Sequence, residues 1–367
     1  MTTPANTATD HTLRRTLQPS GGPLCRRLLI CGPGQVEIIE QRLPRLGDSD
    51  VFAETMISGI SHGTEMAWLG GAAAALHRTW DADHRYYTDG QGRDYPVAPG
   101  YESIARVAQI GRAVTHVEVG DLVAVDAPHA TGHLLTETAA TAGLLPADTD
   151  PERAVFHILT RVALAGVHDA ALRVGETVVV MGLGTVGLLA AQHARHAGAR
   201  VIGVDRYPLR VQAAQALGVH GLHADTIDVA AEVHDLTDGA GADAAIEASG
   251  SYGGLHEAIR CLRVAGRVAT VASYHGDQSG LRLGEEYHRN RITLISSMTI
   301  NGCPQRAHPQ WTLDRLNRTA WHLIADGTIR TDGLITHRIP FDQAADAYTL
   351  ISDTPQDTIK VVLTYDH

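Results

Sequence analysis

The sequence predicts an α/β protein in two domains, a compact β-rich unit followed by a doubly wound parallel sheet. Three observations predict it. The chain has 367 residues, 44% of them apolar, which is more than one core usually organises and enough to fill two. From residue 25 to about residue 126, short apolar runs are broken by Gly, Pro and Asp, the pattern of a small β domain. From about Asp150 onward, strand-length apolar runs alternate with stretches of helical period, which implies parallel strands joined by right-handed crossovers.

Taken in order, residues 1–20 are polar and Thr-rich and are expected to form a flexible arm. Strand-like runs then extend from "RRLLICGPGQVEIIEQRLP" to "VEVGDLVAVDAP". Within them, "GISHGTE" reads as a glycine-flanked loop carrying His62 toward a cleft. Residues Met66 to Pro96 form a long irregular insertion, and loops of that length are usually functional or disordered. Trp68, Trp80 and Tyr87 concentrate aromatic rings there, beside several arginines, so the insertion is expected to act as a substrate lid. "DPERAVFHILTRVALAGVHDAAL" has helical spacing after an Asp-Pro start signal. Strand "TVVVMG", helix "TVGLLAAQHARHAG", strand "RVIGVD" and helix "PLRVQAAQALG" follow, then helix "GGLHEAIRCLRVAG" and strands "RVATVAS" and "ITLISS". A helix "TLDRLNRTAWHLIADG" and a strand "TIKVVLTY" close the chain. The expected division is residues 1–158 with 302–367 in one domain and 159–301 in the other.

Composition narrows the function. A net charge of −11 without a dense basic cluster argues against nucleic acid as the main partner. No run of 18 apolar residues occurs, and the N-terminus lacks the apolar middle of a secretory signal, so a cytoplasmic protein is expected. Cys25, Cys31, Cys261 and Cys303 form no C-x-x-C pair. The only lysine is Lys360, and the 21 histidines, His129 and His133 among them, read as mostly solvated. The expected partners are a small-molecule substrate and a second copy of the chain, as a homodimer.

"VVVMGLGTVGLLAA" holds G-x-G-x-x-G as Gly182, Gly184 and Gly187, directly between an apolar strand and an amphipathic helix. Gly182 allows the tight turn, Gly184 the approach of a pyrophosphate and Gly187 close helix–strand packing. The helix N-terminus, with Thr185 and Val186, offers amide donors to the phosphates. Asp205 closes the next strand, where a carboxylate can take two ribose hydroxyls. It favours NAD, since a 2′-phosphate would meet a like charge; Arg206 and Arg210 beside it leave NADP open.

With these residues in hand, the chain from about residue 25 resembles the medium-chain dehydrogenase/reductase superfamily. "GISHGTE", "PGYE", "VGDLVAV", "GLGTVG", "VIGVD", "IEASG" and "IKVVLTY" carry the likeness. The resemblance implies a GroES-like β-barrel catalytic domain completed by the C-terminal segment, a Rossmann domain, and an active site in the cleft between them. It further implies that Ala248, Ser249, Val271, Ala272, Ser273, Ser297 and Met298 line the dinucleotide cleft, and that Lys360 stands where relatives commonly carry an arginine for the pyrophosphate. Zinc-dependent members bind their metal through a Cys, the His of Gly-His-Glu and a third ligand. Here the first two positions read Ser61 and Tyr101, and the third falls near His157 to Leu159. Neither Ser nor Tyr suits zinc, so no metal is expected, a site rebuilt from His62, Glu65 or Glu102 being the alternative. The chain is similar to a zinc-lacking branch with bacteriochlorophyllide a dehydrogenase-like and alcohol dehydrogenase-like members.

Without a metal, another group must handle the proton as hydride moves. Tyr101 and His62 are the expected proton-handling pair, with Thr64 as a relay and Glu65 and Glu102 orienting them. Equally, Tyr101 could fill the vacated metal position and His62 could contact only substrate or cofactor. Trp68, Trp80, Tyr87 and His157 are the expected substrate contacts. The expected activity is reversible oxidation of a secondary alcohol on a cyclic or secondary-metabolite substrate. Reduction of an enone C=C bond, redox-neutral epimerisation with tightly held NAD, and a non-catalytic NAD(H)-binding regulator are the alternatives.

Overall fold

A computed structural model describes residues 21–276, 278–299 and 310–366. The expected N-terminal arm and Cys303 lie outside the described residues. Strands β1 (Leu24–Gly32) and β2 (Gln35–Arg42) pair antiparallel across a Pro33–Gly34 turn, with Gly34 at φ 70°. Next come β3 (Asp50–Gly59), helices α1 (His62–Leu69) and α2 (Ala74–His77), and the short β4 (Thr79–Asp81) and β5 (Tyr86–Thr88). Strands β6 (Ser103–Ile110), β7 (Leu122–Val125) and β8 (Gly132–Thr136), helix α3 (Glu137–Ala142) and β9 (Leu144–Leu145) complete the first unit.

The second unit opens with α4 (Pro151–Ala154) and α5 (His157–Asp169). The single helix expected there is broken at Val155–Phe156, where neither residue has a capping side chain. β10 (Thr177–Met181), α6 (Thr185–His196), β11 (Arg200–Asp205), α7 (Pro208–Ala216) and β12 (His220–His223) follow. The second half comprises α8 (Val229–Asp235), β13 (Ala242–Glu247), α9 (Tyr252–Arg260), β14 (Leu262–Thr270), α10 (Glu286–Arg289) and β15 (Thr293–Ser296). The helix expected to run to Gly266 stops at Arg260, because Leu262 already pairs with Ala242 in the sheet. The C-terminal segment adds α11 (Leu313–Ala325), β16 (Ile335–Pro340), α12 (Ala344–Asp353) and β17 (Lys360–Thr364).

Strands of the second unit form a parallel sheet in the order β12-β11-β10-β13-β14-β15. Val178, Val179 and Val180 have no exposed surface, as expected of strands covered on both faces. The order reverses between β10 and β13, and a crevice opens beyond their carboxyl ends. The other sheet runs β16-β17-β3-β6-β7-β9, with β8 also paired to β3, so the final strand returns to the first unit and lies against β3. This is the GroES-like barrel plus Rossmann α/β arrangement. The boundary read between residues 158 and 159 cuts α5 after its second residue, and α11, placed by sequence with the barrel, packs against α5. No helix among the described residues is long and apolar enough to cross a membrane.

Candidate active site

The glycine turn is built as a nucleotide cradle needs. Gly182 has φ 88°, and a Cβ there would stand 2.7 Å from the amide nitrogen of Ser249, so the ends of β10 and β13 touch at the point where strand order reverses. A Cβ on Gly187 would collide with the carbonyl of Gly182, whereas one on Gly184 would meet only an Arg210 nitrogen at 3.9 Å. Gly184 therefore presents open backbone at the start of α6, where no side chain caps the first amides. Thr185 Oγ1 donates to Ile359 O at 2.7 Å, tying this helix to the returning strand, and Val186 packs on the core beside it. Gly250 lies against Ala272 and Ser273, and Val271 donates its amide to Glu247 O at 2.9 Å; Ala248 and Ser249 thus share one rim with the end of β14. Ser297 donates its amide to Thr270 O, and Met298 beside it is 66% exposed.

Asp205 sits at the end of β11, its Oδ2 accepting from Leu183 N at 2.7 Å and its Oδ1 from Tyr207 N at 2.9 Å. Arg210 lies 3.8 Å from it and donates to Thr358 O and Pro355 O, while Arg206 faces Asp225 at 3.5 Å on the surface. These residues fit a dinucleotide, with its adenosine ribose toward Asp205.

Lys360 has a different setting from the one the resemblance implies. Its side chain is fully buried; Nζ donates to Glu102 Oε2 at 2.7 Å and to Ile60 O at 3.1 Å. A Cβ on Gly59 would stand 2.6 Å from Lys360 Nζ, so the glycine makes room for the ammonium. Burial pushes the Glu102 carboxyl up, against the opposing pull of Lys360, and Glu102 Oε1 has no partner.

Tyr101 follows Gly100, whose φ of 100° packs the turn against the His129 ring. Its hydroxyl donates to Ser61 Oγ at 2.5 Å, so the two residues at the positions of zinc ligands are bonded to each other. Burial, reinforced by Glu102, pushes the phenol well above its usual range, and the Thr64 hydroxyl, exposed on α1, also bonds it.

His62 is not in a loop but is the first residue of α1. The helix begins there because Glu65 Oε1 accepts the Ser61 amide at 2.8 Å. Glu65 Oε2 accepts from His129 Nε2 at 3.0 Å and from the Tyr348 hydroxyl, and His129 Nδ1 meets Ser58 Oγ at 2.7 Å. His129 and His133, expected in solvent, are thus buried; one binds a buried carboxylate and the other packs beneath β3 with its Nε2 unpartnered. Burial and the cations Lys360, Arg210 and His337 bring His62 down to about 3. It is neutral at physiological pH, its Nε2 is buried without a partner, and it makes no hydrogen bond to Tyr101.

His157 points to α11, its Nε2–H donating to Asn317 O at 3.2 Å and its ring meeting Trp321 edge-on; burial brings it down to about 4. Trp80 and Tyr87 are cross-strand partners in the isolated β4–β5 ribbon, their rings 5.0 Å apart, and Trp80 is 46% exposed. Trp68 packs instead on the core cluster around Leu28 and Tyr348. Sequence reasoning missed Arg161, one turn along α5 from His157; a lone charge in "HILTRVALAG" was the available signal.

The donor set does not fit a catalytic zinc. Ser61 and Tyr101 satisfy each other and Glu65 is held by His129 and Tyr348, which leaves His62 Nε2 and Glu102 Oε1 unpartnered, two donor atoms where a catalytic zinc wants three. Among the described residues, the one set of three His, Cys, Asp or Glu with ligand atoms within 4.8 Å is His256, Glu285 and Glu286, on α9 and around the start of α10, where Arg282 already donates to His256.

Residues 185–317 match the family model described as zinc-binding dehydrogenase, a span that excludes Ser61 and Tyr101. A sorbitol dehydrogenase of Bacillus subtilis (strain 168) is 30% identical over 317 residues, 77% of this chain and 86% of that protein. The chain belongs to the medium-chain dehydrogenase/reductase superfamily. As a medium-chain dehydrogenase/reductase it is an NAD(P)-dependent oxidoreductase of the alcohol–ketone type. A D-guloside 3-dehydrogenase of Escherichia coli (strain K12) is 28% identical over 357 residues, 93% of this chain and all of that one. The fold matches 2R,3R-butanediol dehydrogenase from Bacillus subtilis at a TM-score of 0.74 with 19% identity, over 93% of this chain and 100% of that one.

Proposed function

We propose that this medium-chain dehydrogenase/reductase interconverts a secondary alcohol and a ketone on a ring-shaped substrate, with NAD as hydride carrier and without a metal in the chemistry. The observation that carries the reading is the Tyr101–Ser61 hydrogen bond of 2.5 Å at the place zinc ligands occupy in metal-dependent members. A bound nicotinamide supplies or accepts the hydride. The chain's task is then the proton on the substrate oxygen. Because burial keeps the Tyr101 phenol protonated, it donates to an oxygen on which negative charge develops, and the exposed Thr64 hydroxyl is placed to return the proton from solvent. Ser61 holds the phenol while the site is empty; with substrate bound the phenol turns its one O–H from Ser61 Oγ to the substrate oxygen, and the Ser61 hydroxyl donates to the phenolic oxygen in turn. His62, neutral and among cations, belongs in this reading to the cofactor side. NAD is favoured over NADP because Asp205 would stand against a 2′-phosphate. The D-guloside 3-dehydrogenase relative, named for a sugar position, supports a ring substrate.

The test is Tyr101→Phe, with ring alcohols and ketones followed at 340 nm. Turnover should fall by ~10²–10⁴-fold with NADH affinity unchanged, and dialysis against a chelator should leave the wild type fully active. Activity that needs stoichiometric zinc, or a Phe variant within threefold of wild type, overturns the mechanism.

A further inference from the structure

Arg161 and Asp126 are two opposite charges left without an ion pair beside Tyr101. Arg161 lies on α5; its Nη1 donates to Asn317 Oδ1 at 3.0 Å, but its Nε is buried with no partner, and among the described residues no carboxylate oxygen comes within 4 Å of the guanidinium. Burying a cation with so little compensation is costly, by several kcal/mol in general, and such groups gather where a ligand completes them. Burial pulls the guanidinium down, and Asp126 is the opposite charge that pushes back.

Asp126 reaches the same place from the barrel. It directly follows β7, whose last residue Val125 pairs with Ser103, so Asp126 leaves the barrel at the end of the β6–β7 pair that Tyr101 and Glu102 lead into. The residue is exposed, but burial of its carboxyl pushes it up against the pull of Arg161, and it accepts no hydrogen bond from a described residue. The barrel therefore offers a bidentate acceptor and α5 a forked donor, and Asp126 and Tyr101 are the residues whose electrostatic influence reaches the Arg161 guanidinium.

We propose that Asp126 and Arg161 are the specificity pair of this site and that they recognise a neutral polyhydroxylated ring, a pyranoside, through the hydroxyls flanking the reacting carbon. A carboxylate takes two adjacent hydroxyls of a ring, the chemistry expected of Asp205 with ribose. The guanidinium donates to a neighbouring hydroxyl or the ring oxygen. An anionic substrate would meet Asp126, and a purely apolar ring would leave both charges desolvated and unpaired, which discriminates strongly against it. The assignment rests on the ring-alcohol reading above and adds the class of ring and the residues that read it.

The experiment measures binding apart from turnover. Wild-type protein holding NADH is titrated by calorimetry with methyl glucoside, galactoside and guloside pyranosides and, as the apolar control, cyclohexanol. The expected result is at least one glycoside bound roughly 10- to 100-fold more tightly than cyclohexanol, with that preference lost in Asp126→Asn and in Arg161→Met. Both variants should keep wild-type NADH affinity and melting temperature, which separates lost recognition from lost folding. If no glycoside outbinds cyclohexanol, or if both variants keep the preference, the proposal is wrong. A glycoside that binds as expected but is never oxidised leaves this proposal standing and removes the alcohol–ketone reading instead.

Discussion

Replacing Lys360 with Met separates two roles for the chain's only lysine, a buried counter-ion and a ligand for the cofactor's pyrophosphate. Met keeps most of the stem volume and removes the ammonium that bonds Glu102 at 2.7 Å and Ile60 O at 3.1 Å. Glu102, fully buried and with Oε1 already unpartnered, will not carry an isolated charge; it will take up a proton. At pH 7, protonating a carboxyl whose ordinary value is 4.5 costs about 3.4 kcal/mol, at 1.36 kcal/mol per pH unit. At pH 5.5 the same step costs about 1.4 kcal/mol. The sign follows from a folded carboxyl raised above its unfolded value: the penalty is present above 4.5 and shrinks as pH falls toward it. Because the wild-type carboxyl is already raised, these figures are upper bounds on the difference: at roughly 2 °C per kcal/mol, the variant should melt below wild type by at most about 7 °C at pH 7 and about 3 °C at pH 5.5. In Lys360→Met/Glu102→Gln the deficit should be small and flat with pH. NADH titration by fluorescence should show a dissociation constant within threefold of wild type, since Lys360 has no exposed surface. A variant with unchanged melting and NADH weakened more than tenfold would refute the counter-ion argument and restore the phosphate role.

Two further outcomes follow from the geometry. Gly187→Ala drives a Cβ into the Gly182 carbonyl and should weaken NADH binding by about 10- to 100-fold with loss of stability, the ~1–3 kcal/mol of overpacking. Gly184→Ala has room in the free protein, so it should keep the melting temperature and lose only cofactor affinity; equal effects at both sites would refute the cradle. Acid should destabilise the fold early, because burial brings His133 to about 4 and His193 to about 3 from an ordinary 6.5. The unfolded chain takes protons below 6.5 that these rings refuse, so stability is complete above that pH and declines as pH falls through 6.5 toward 4. Two such groups give about 3 kcal/mol of loss by pH 5.5. A melting temperature that is flat between pH 7.5 and 5.5 would contradict their neutral burial.

The parallel sheet was legible because its signals are local. "VVVMG" and "VIGVD" are covered on both faces and read as continuous apolar strands, and the glycines between strand and helix have few other uses. Boundaries failed where tertiary pairing decides them. Nothing within "HEAIRCLRVAG" says that Leu262 pairs with Ala242, yet that ladder ends the helix at Arg260. Helix α12 and strand β16 drew no reading, since their apolar faces are defined only against the barrel they close.

The chemistry of the site was legible as residue types and not as partnerships. Ser61 and Tyr101 could be read as unsuited to zinc, but that they bond each other depends on β3 and β6 being neighbours. His129 looked like one solvated histidine among many because its partners, Ser58 at the end of β3 and Glu65 in α1, lie 71 and 64 residues away in the chain. The same physics explains why His62 and Lys360 exchanged their expected surroundings. A lysine beside a buried glutamate gains more from pairing than from waiting for a phosphate, and burial, helped by its charge and that of Arg210, keeps His62 unprotonated. In the proposed mechanism proton transfer is thereby left to the phenol, and Arg161, whose Nε has no partner among the described residues, is the cation left for the substrate.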